Sequence, residues 1–128
     1  MRNLEPLIEA ALKVREQAYA PYSEFLVGAA VLADDGSIFI GCNVENASYG
    51  LAICAERNAI TTAVAAGQQK LVAIAVAATP LASPCGACRQ FIFEFGDDIQ
   101  VVSVDASEPA SRKQWTSKEL LPGGFRLD

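Results

Sequence analysis

Three cysteines and one glutamate stand out in a chain of 128 residues that contains no histidine: Cys54-Ala55-Glu56 and Pro84-Cys85-Gly86-Ala87-Cys88. Clustered thiols are ligands for a soft metal, and zinc suits them. A structural zinc is closed by four protein ligands, whereas a catalytic zinc keeps three and leaves its fourth position to water or substrate. Three thiols fit the open site. Zinc lowers the pKa of water at that position from about 15.7 towards 7, which makes hydroxide available at neutral pH. The released proton needs an acceptor. Glu56, close behind Cys54, is placed to be that acid/base without binding the metal itself.

Cys85 and Cys88 are spaced i, i+3, which puts both sulfurs on one side of a first helical turn, with Cys54 as the third ligand. Two other readings of the thiols stay open. Cys-Gly-Ala-Cys is also the pattern of a dithiol redox pair at a helix start. Alternatively, Cys42 closes a structural zinc as fourth ligand, although in its apolar strand it reads more simply as a small buried hydrophobe. Three thiolates on Zn²⁺ leave a net negative charge that works against water ionisation, so positive compensation is needed. Arg57 and Arg89 directly follow ligand motifs; surface solubility accounts for Arg89 better than for Arg57. Glu56 taken alone is also an ordinary acid at a helix N-terminus.

The elements that must hold these groups can be read from periodicity. Leu4, Leu7, Ile8, Ala11, Leu12 and Arg15 follow helical spacing, and the helix should end near Tyr19 because Pro21 disfavours helix before it. Residues 25–33 and 37–42 are apolar runs on either side of Asp34-Asp35-Gly36 and read as a hairpin. Residues 54–66 form an alanine-rich helix stopped by Gly67, and residues 71–78 a strand buried on both faces. Residues 86–95 form a third helix and 101–104 a strand, with 113–116 a short final strand and 117–121 a helical turn. The alternation of strands and helices implies right-handed crossovers and parallel pairing. The expected fold is a single α/β domain over residues 1–128, a three-layer α/β/α sandwich on a mixed sheet of about five strands. Ligands of such sheets bind beyond the carboxyl ends of strands, where helices begin. Both cysteine motifs fall at helix starts, where the dipole favours thiolates.

A hydrophobic content of 52% is enough for a core. No run approaches the roughly 20 apolar residues of a membrane span, and the first residues lack the pattern of a signal peptide. Four cysteines, two of them in Cys-x-x-Cys, suit metal chemistry in a reducing compartment, so a cytoplasmic location is expected. Net charge of −5 opposes capture of phosphate backbones. No nucleic-acid partner is expected, and the substrate should be a free small molecule.

The segments Ala20-Pro21-Tyr22-Ser23, Val27-Gly28-Ala29-Ala30, GCNVENASY from Gly41, Cys54-Ala55-Glu56-Arg57, PCGACRQ from Pro84 and Leu120-Leu121-Pro122-Gly123-Gly124-Phe125 together resemble the small cytidine deaminases. The resemblance runs over residues 4–125. It implies a zinc ion in each subunit on Cys54, Cys85 and Cys88, with Arg57 hydrogen-bonded to ligand sulfurs and Glu56 as proton shuttle. It implies hydrolysis of cytidine and 2′-deoxycytidine to uridine and 2′-deoxyuridine with release of ammonia, in pyrimidine salvage. It marks Phe25, Asn43, Glu45 and Ala55 as substrate-binding, with Asn43 and Glu45 on the ribose 3′-hydroxyl and Phe25 against the base. Tyr49 and Phe125 match residues that reach a neighbouring subunit's site, which implies a homotetramer; the small-residue face Ala55, Ala59, Ala63 and Ala66 would permit close helix contact. Departures from the family are mild: Asn58, a short connection before Pro84 and an ending soon after Phe125. Alternatives are deamination of another aminated nucleoside such as blasticidin S, against which Asn43-Val44-Glu45-Asn46 weighs, and a zinc-stabilised domain without activity.

Overall fold

The computed structural model describes residues 2–127. Helix α1 (Glu5–Val14) is followed by a 3₁₀ turn (Arg15–Gln17), the hairpin β1 (Gly28–Ala33) and β2 (Ile38–Cys42), and a second 3₁₀ turn (Tyr49–Leu51). Then come α2 (Ala55–Ala65), β3 (Leu71–Ala78), α3 (Gly86–Phe93), β4 (Gln100–Asp105), β5 (Glu108–Thr116) and α4 (Ser117–Leu120). The five strands form one mixed sheet in the order β2-β1-β3-β4-β5.

Alternation along the strands divides the core between two faces. Leu7, Ile8 and Ala11 of α1 pack on Ala30, Ala73, Ala75, Ala77, Val102 and Val104. The opposite face, with Ala29, Val31, Ile74, Val76 and Val101, carries Ala59, Ile60 and Ala63 of α2, Ile92 of α3 and Leu120 of α4. This is the expected three-layer arrangement. Glycine sets the spacing of the layers: a Cβ at Gly28 would lie 2.1 Å from the Ala11 carbonyl oxygen, and one at Gly41 2.4 Å from the Ala59 nitrogen. Real carbon–nitrogen contacts lie well beyond that, so any side chain at Gly41 would push α2 off the sheet.

Several expectations need correction. Residues 25–27 are not strand, because Asn43 takes their backbone groups: the Val27 N–H donates to Asn43 Oδ1 at 2.8 Å and Asn43 Nδ2 donates to the Phe25 carbonyl at 2.9 Å. The α-helical part of the first helix ends at Val14 and tightens into the 3₁₀ turn. Helix α3 stops at Phe93, two residues early. Strand β5 begins at Glu108 and not near Lys113; its outer residues are charged and exposed, so no apolar alternation announced it. Parallel pairing holds for β3 with β4 alone, since β1 lies between β2 and β3 and is antiparallel to both. Of the alanine face of α2, Ala55, Ala59 and Ala63 are buried within the chain and not available to a neighbour, whereas Ala66, just past the helix, is exposed.

Candidate metal centre and substrate cavity

Cys54 and Cys85 occupy the same structural position, the residue that caps the start of a helix with extended backbone. Neither side chain caps the helix with a hydrogen bond, so both sulfurs are free to point elsewhere. Cys88 lies at the third position of α3, the one that normally pairs with the cap residue. The sulfurs of Cys54, Cys85 and Cys88 all lie within 4.8 Å of one another, and Cys54 and Cys85 are 3.8 Å apart. Tetrahedral geometry with zinc–sulfur bonds of about 2.3 Å requires sulfurs about 3.8 Å apart. Among the described residues Cys42 is not part of this group; it is half-buried, and its carbonyl accepts a hydrogen bond from Asn58 at 2.8 Å.

The donor chemistry also calls for a cation. Hydrogen bonding from Cys88, then from Arg57 and Cys85, holds the Cys54 thiol down at about 5. Cys88 is pushed up, first by its role as donor to Cys54, then by burial and by the charge of Glu56. Three thiols this close cannot all ionise beside one guanidinium. A dication removes the conflict by stabilising every thiolate at once. Arg57 Nη2 donates to the Cys54 sulfur at 3.4 Å, the contact expected of it, and the thiolate raises the pKa of Arg57 in return.

Glu56, at the second position of α2, is only 5% exposed. Burial raises its pKa, and the Cys54 charge adds to the rise. Burial thus lessens the cost of the protonated carboxyl, as a group that takes up and returns a proton requires. Glu56 faces a cavity of about 200 Å³ lined by Phe25, Val27, Asn43, Cys54, Ala55, Val76, Ala82, Ser83 and Cys85. The mixture of apolar walls and few polar groups suits a small-molecule ligand.

Glu45 does not line this cavity. It lines a separate one of about 400 Å³ with Tyr22, Ser23, Asn46, Tyr49 and Ala52. Its carboxylate accepts from the backbone N–H groups of Tyr22 and Ser23 and from the Ser23 hydroxyl, and the Ser23 hydroxyl is the first cause of its lowered pKa. Tyr49 is 84% and Phe125 67% exposed. Neither lines the metal cavity of its own chain. A larger concavity of about 760 Å³ lies at the far end of β3 and β4, beside Asp97 and Asp98; none of the three clustered cysteines lines it.

Arg89 differs most from its expected surface role. Its side chain donates to the carbonyl oxygens of Pro84 and Leu120 and to the Ser83 hydroxyl. A cation near a helix N-terminus is electrostatically disfavoured, and that was the available signal that it had another task. Ala82 and Ser83, also unanticipated, stand on the cavity wall by virtue of the connection from β3.

Comparison with known proteins agrees with this geometry. The family described as "Cytidine and deoxycytidylate deaminase zinc-binding region" matches residues 1–104. A cytidine deaminase of Sporosarcina psychrophila is 47% identical over 126 residues, 96% of this chain and 91% of that protein. A probable cytidine deaminase of Dictyostelium discoideum is also 47% identical, over 96% of this chain and 84% of its own. The crystal structure of cytidine deaminase from Burkholderia pseudomallei superposes with a TM-score of 0.90 at 46% identity, covering 97% of this chain and all of the other.

Proposed function

The chain belongs to the cytidine and deoxycytidylate deaminase family, and we propose that it hydrolyses cytidine and 2′-deoxycytidine to uridine and 2′-deoxyuridine with release of ammonia. The observation that carries this reading is the cluster of three cysteine sulfurs, two of which, those of Cys54 and Cys85, belong to residues that line one small cavity together with the buried Glu56. Cys54, Cys85 and Cys88 would hold zinc, which when bound acts as a Lewis acid that makes water nucleophilic at neutral pH. Arg57 offsets the thiolate charge from the Cys54 side. Glu56 takes one proton from the attacking water and delivers it to N3 of the pyrimidine as C4 becomes tetrahedral; it then takes the second proton, from the new C4 hydroxyl, and passes it to the amine, which leaves as ammonia as the C4 carbonyl forms. Its burial keeps the proton within the site.

Phe25 and Ala55 bound the space for the base. Asn43 has two tasks: its amide braces the backbone of residues 25–27, and its remaining hydrogen-bonding capacity faces the sugar. Glu45, held ionised by Ser23, accepts from a ribose hydroxyl. A net charge of −5 supports a free nucleoside over a polynucleotide. Turnover of cytidine by zinc-loaded protein, followed as loss of ultraviolet absorbance, tests the reaction directly; zinc-loaded protein with no such change would refute it.

The assembly is a homotetramer in which Tyr49 and Phe125 complete a neighbour's site. What supports this is their exposure of 84% and 67% together with the backbone fixing of Phe125, whose carbonyl accepts from Gln90. Sedimentation is expected to give a tetramer, and Phe125→Ala to raise KM; a fully active monomer would contradict both. Thiol ligands favour a reducing compartment, so the enzyme works in the cytoplasm, in pyrimidine salvage. Among the described residues no helix is long and apolar enough to cross a membrane.

A further inference from the structure

The connection between β3 and α3 carries the ligand Cys85 and, through Ala82 and Ser83, a wall of the cavity. It is held by very little. Among the described residues, no backbone–backbone hydrogen bond outside the helices and strands involves residues 80–84. The side-chain bonds to these residues come from one group: Arg89 Nε donates to the Pro84 carbonyl at 2.8 Å and Arg89 Nη2 to the Ser83 hydroxyl at 3.3 Å.

The other end of the guanidinium is anchored. Arg89 Nη1 donates to the Leu120 carbonyl at 3.1 Å, and Leu120 ends a short helix fixed on several sides. Thr116 and Glu119 cap that helix reciprocally. The buried Ser117 donates to the Gly96 carbonyl and accepts from the Ile99 N–H. A planar fork with donors in fixed directions can join three acceptors in this way, and a lysine cannot.

We propose that Arg89 is a positioning residue: it ties residues 83–84 to the end of α4 and thereby fixes the Cys85 sulfur and the adjoining cavity wall. It does not line the cavity, and its effect passes through the segment it holds. The zinc consequence rests on the thiol geometry alone; the kinetic consequence rests on the deaminase reading above.

Zinc affinity of the full chain, measured by competition with a chromophoric chelator, tests the first consequence, and KM for cytidine tests the second. Arg89→Ala should bind zinc about tenfold more weakly, as for loss of groups that orient ligands, and should raise KM by more than it lowers kcat. Arg89→Lys should show the same signs with smaller size, and it decides the matter if the alanine variant does not fold. Arg126→Ala is the control, because Arg126 also clamps α3, through the Phe93 carbonyl, the Phe93 ring and Asp97, away from the ligand loop. Its zinc affinity should be that of the parent. Unchanged affinity in both Arg89 variants, or an equal loss in Arg126→Ala, would overturn the proposal. A parent protein that binds zinc but ignores cytidine would refute the deaminase reading and leave the zinc arm standing.

Discussion

Glu56→Gln is expected to keep its zinc and to lose cytidine turnover by about 100- to 10,000-fold, the usual worth of a general acid/base. Glutamine matches the volume of glutamate and can still make a hydrogen bond, so the packing at this 5% exposed position survives. What it lacks is a basic oxygen that takes a proton and returns it. The carboxyl is suited to that exchange because burial raises its pKa above the ordinary carboxylate range, which lessens the cost of its protonated state. The rate loss should appear in kcat, since the proton moves only as the transition state is approached. Zinc content and steady-state rates measured on the same preparation decide it; turnover near that of the parent would remove Glu56 from its role.

Removal of one sulfur should do more. Cys88→Ala is expected to leave the protein without zinc after dialysis and without measurable turnover, whereas Cys42→Ala should retain both. Cys88 is fully buried at the back of the cluster, so neither solvent nor a surface side chain can take its place. Two thiols bind far more weakly than three, and a site that loses its metal loses the Lewis acid with it. Cys42 stands outside the cluster among the described residues. Metal analysis by mass spectrometry on the two variants separates a three-thiol open site from a four-thiol closed one: loss of zinc in Cys42→Ala would indicate closure.

The clustering of the three thiols was legible because a metal site would constrain their spacing directly. Cys85 and Cys88 must share a helical turn, and Cys54 must begin a helix for Glu56 to reach the cavity; both conditions are local. The central strand β3 was legible to the residue, since eight apolar positions in succession have no stable alternative to burial on both faces. Long-range choices were not. Nothing local to residues 25–27 reveals that an amide sixteen positions away in the chain replaces their strand partners. The alanines of α2 look the same whether they meet another subunit or Gly41 of their own sheet, and only the close approach at Gly41 distinguishes the two. Strand β5 lies at the sheet edge with its outer positions in solvent, so its backbone pairing with β4 leaves little trace in side-chain type.

With β1 between β2 and β3, the early hairpin closes from neighbouring residues alone, on the microsecond scale of such units. Strand β3 must instead arrive from far along the chain and dock against β1. Cys54 heads the helix that leads into β3, and Cys85 lies 31 positions later, beyond it. The three thiols therefore lie together only in a chain whose β3 is paired with β1. The three-thiol cluster is thus a product of the assembled sheet: two of its members share one helical turn, and the third is brought to them only by the pairing of β1 with β3 and the helices laid across it.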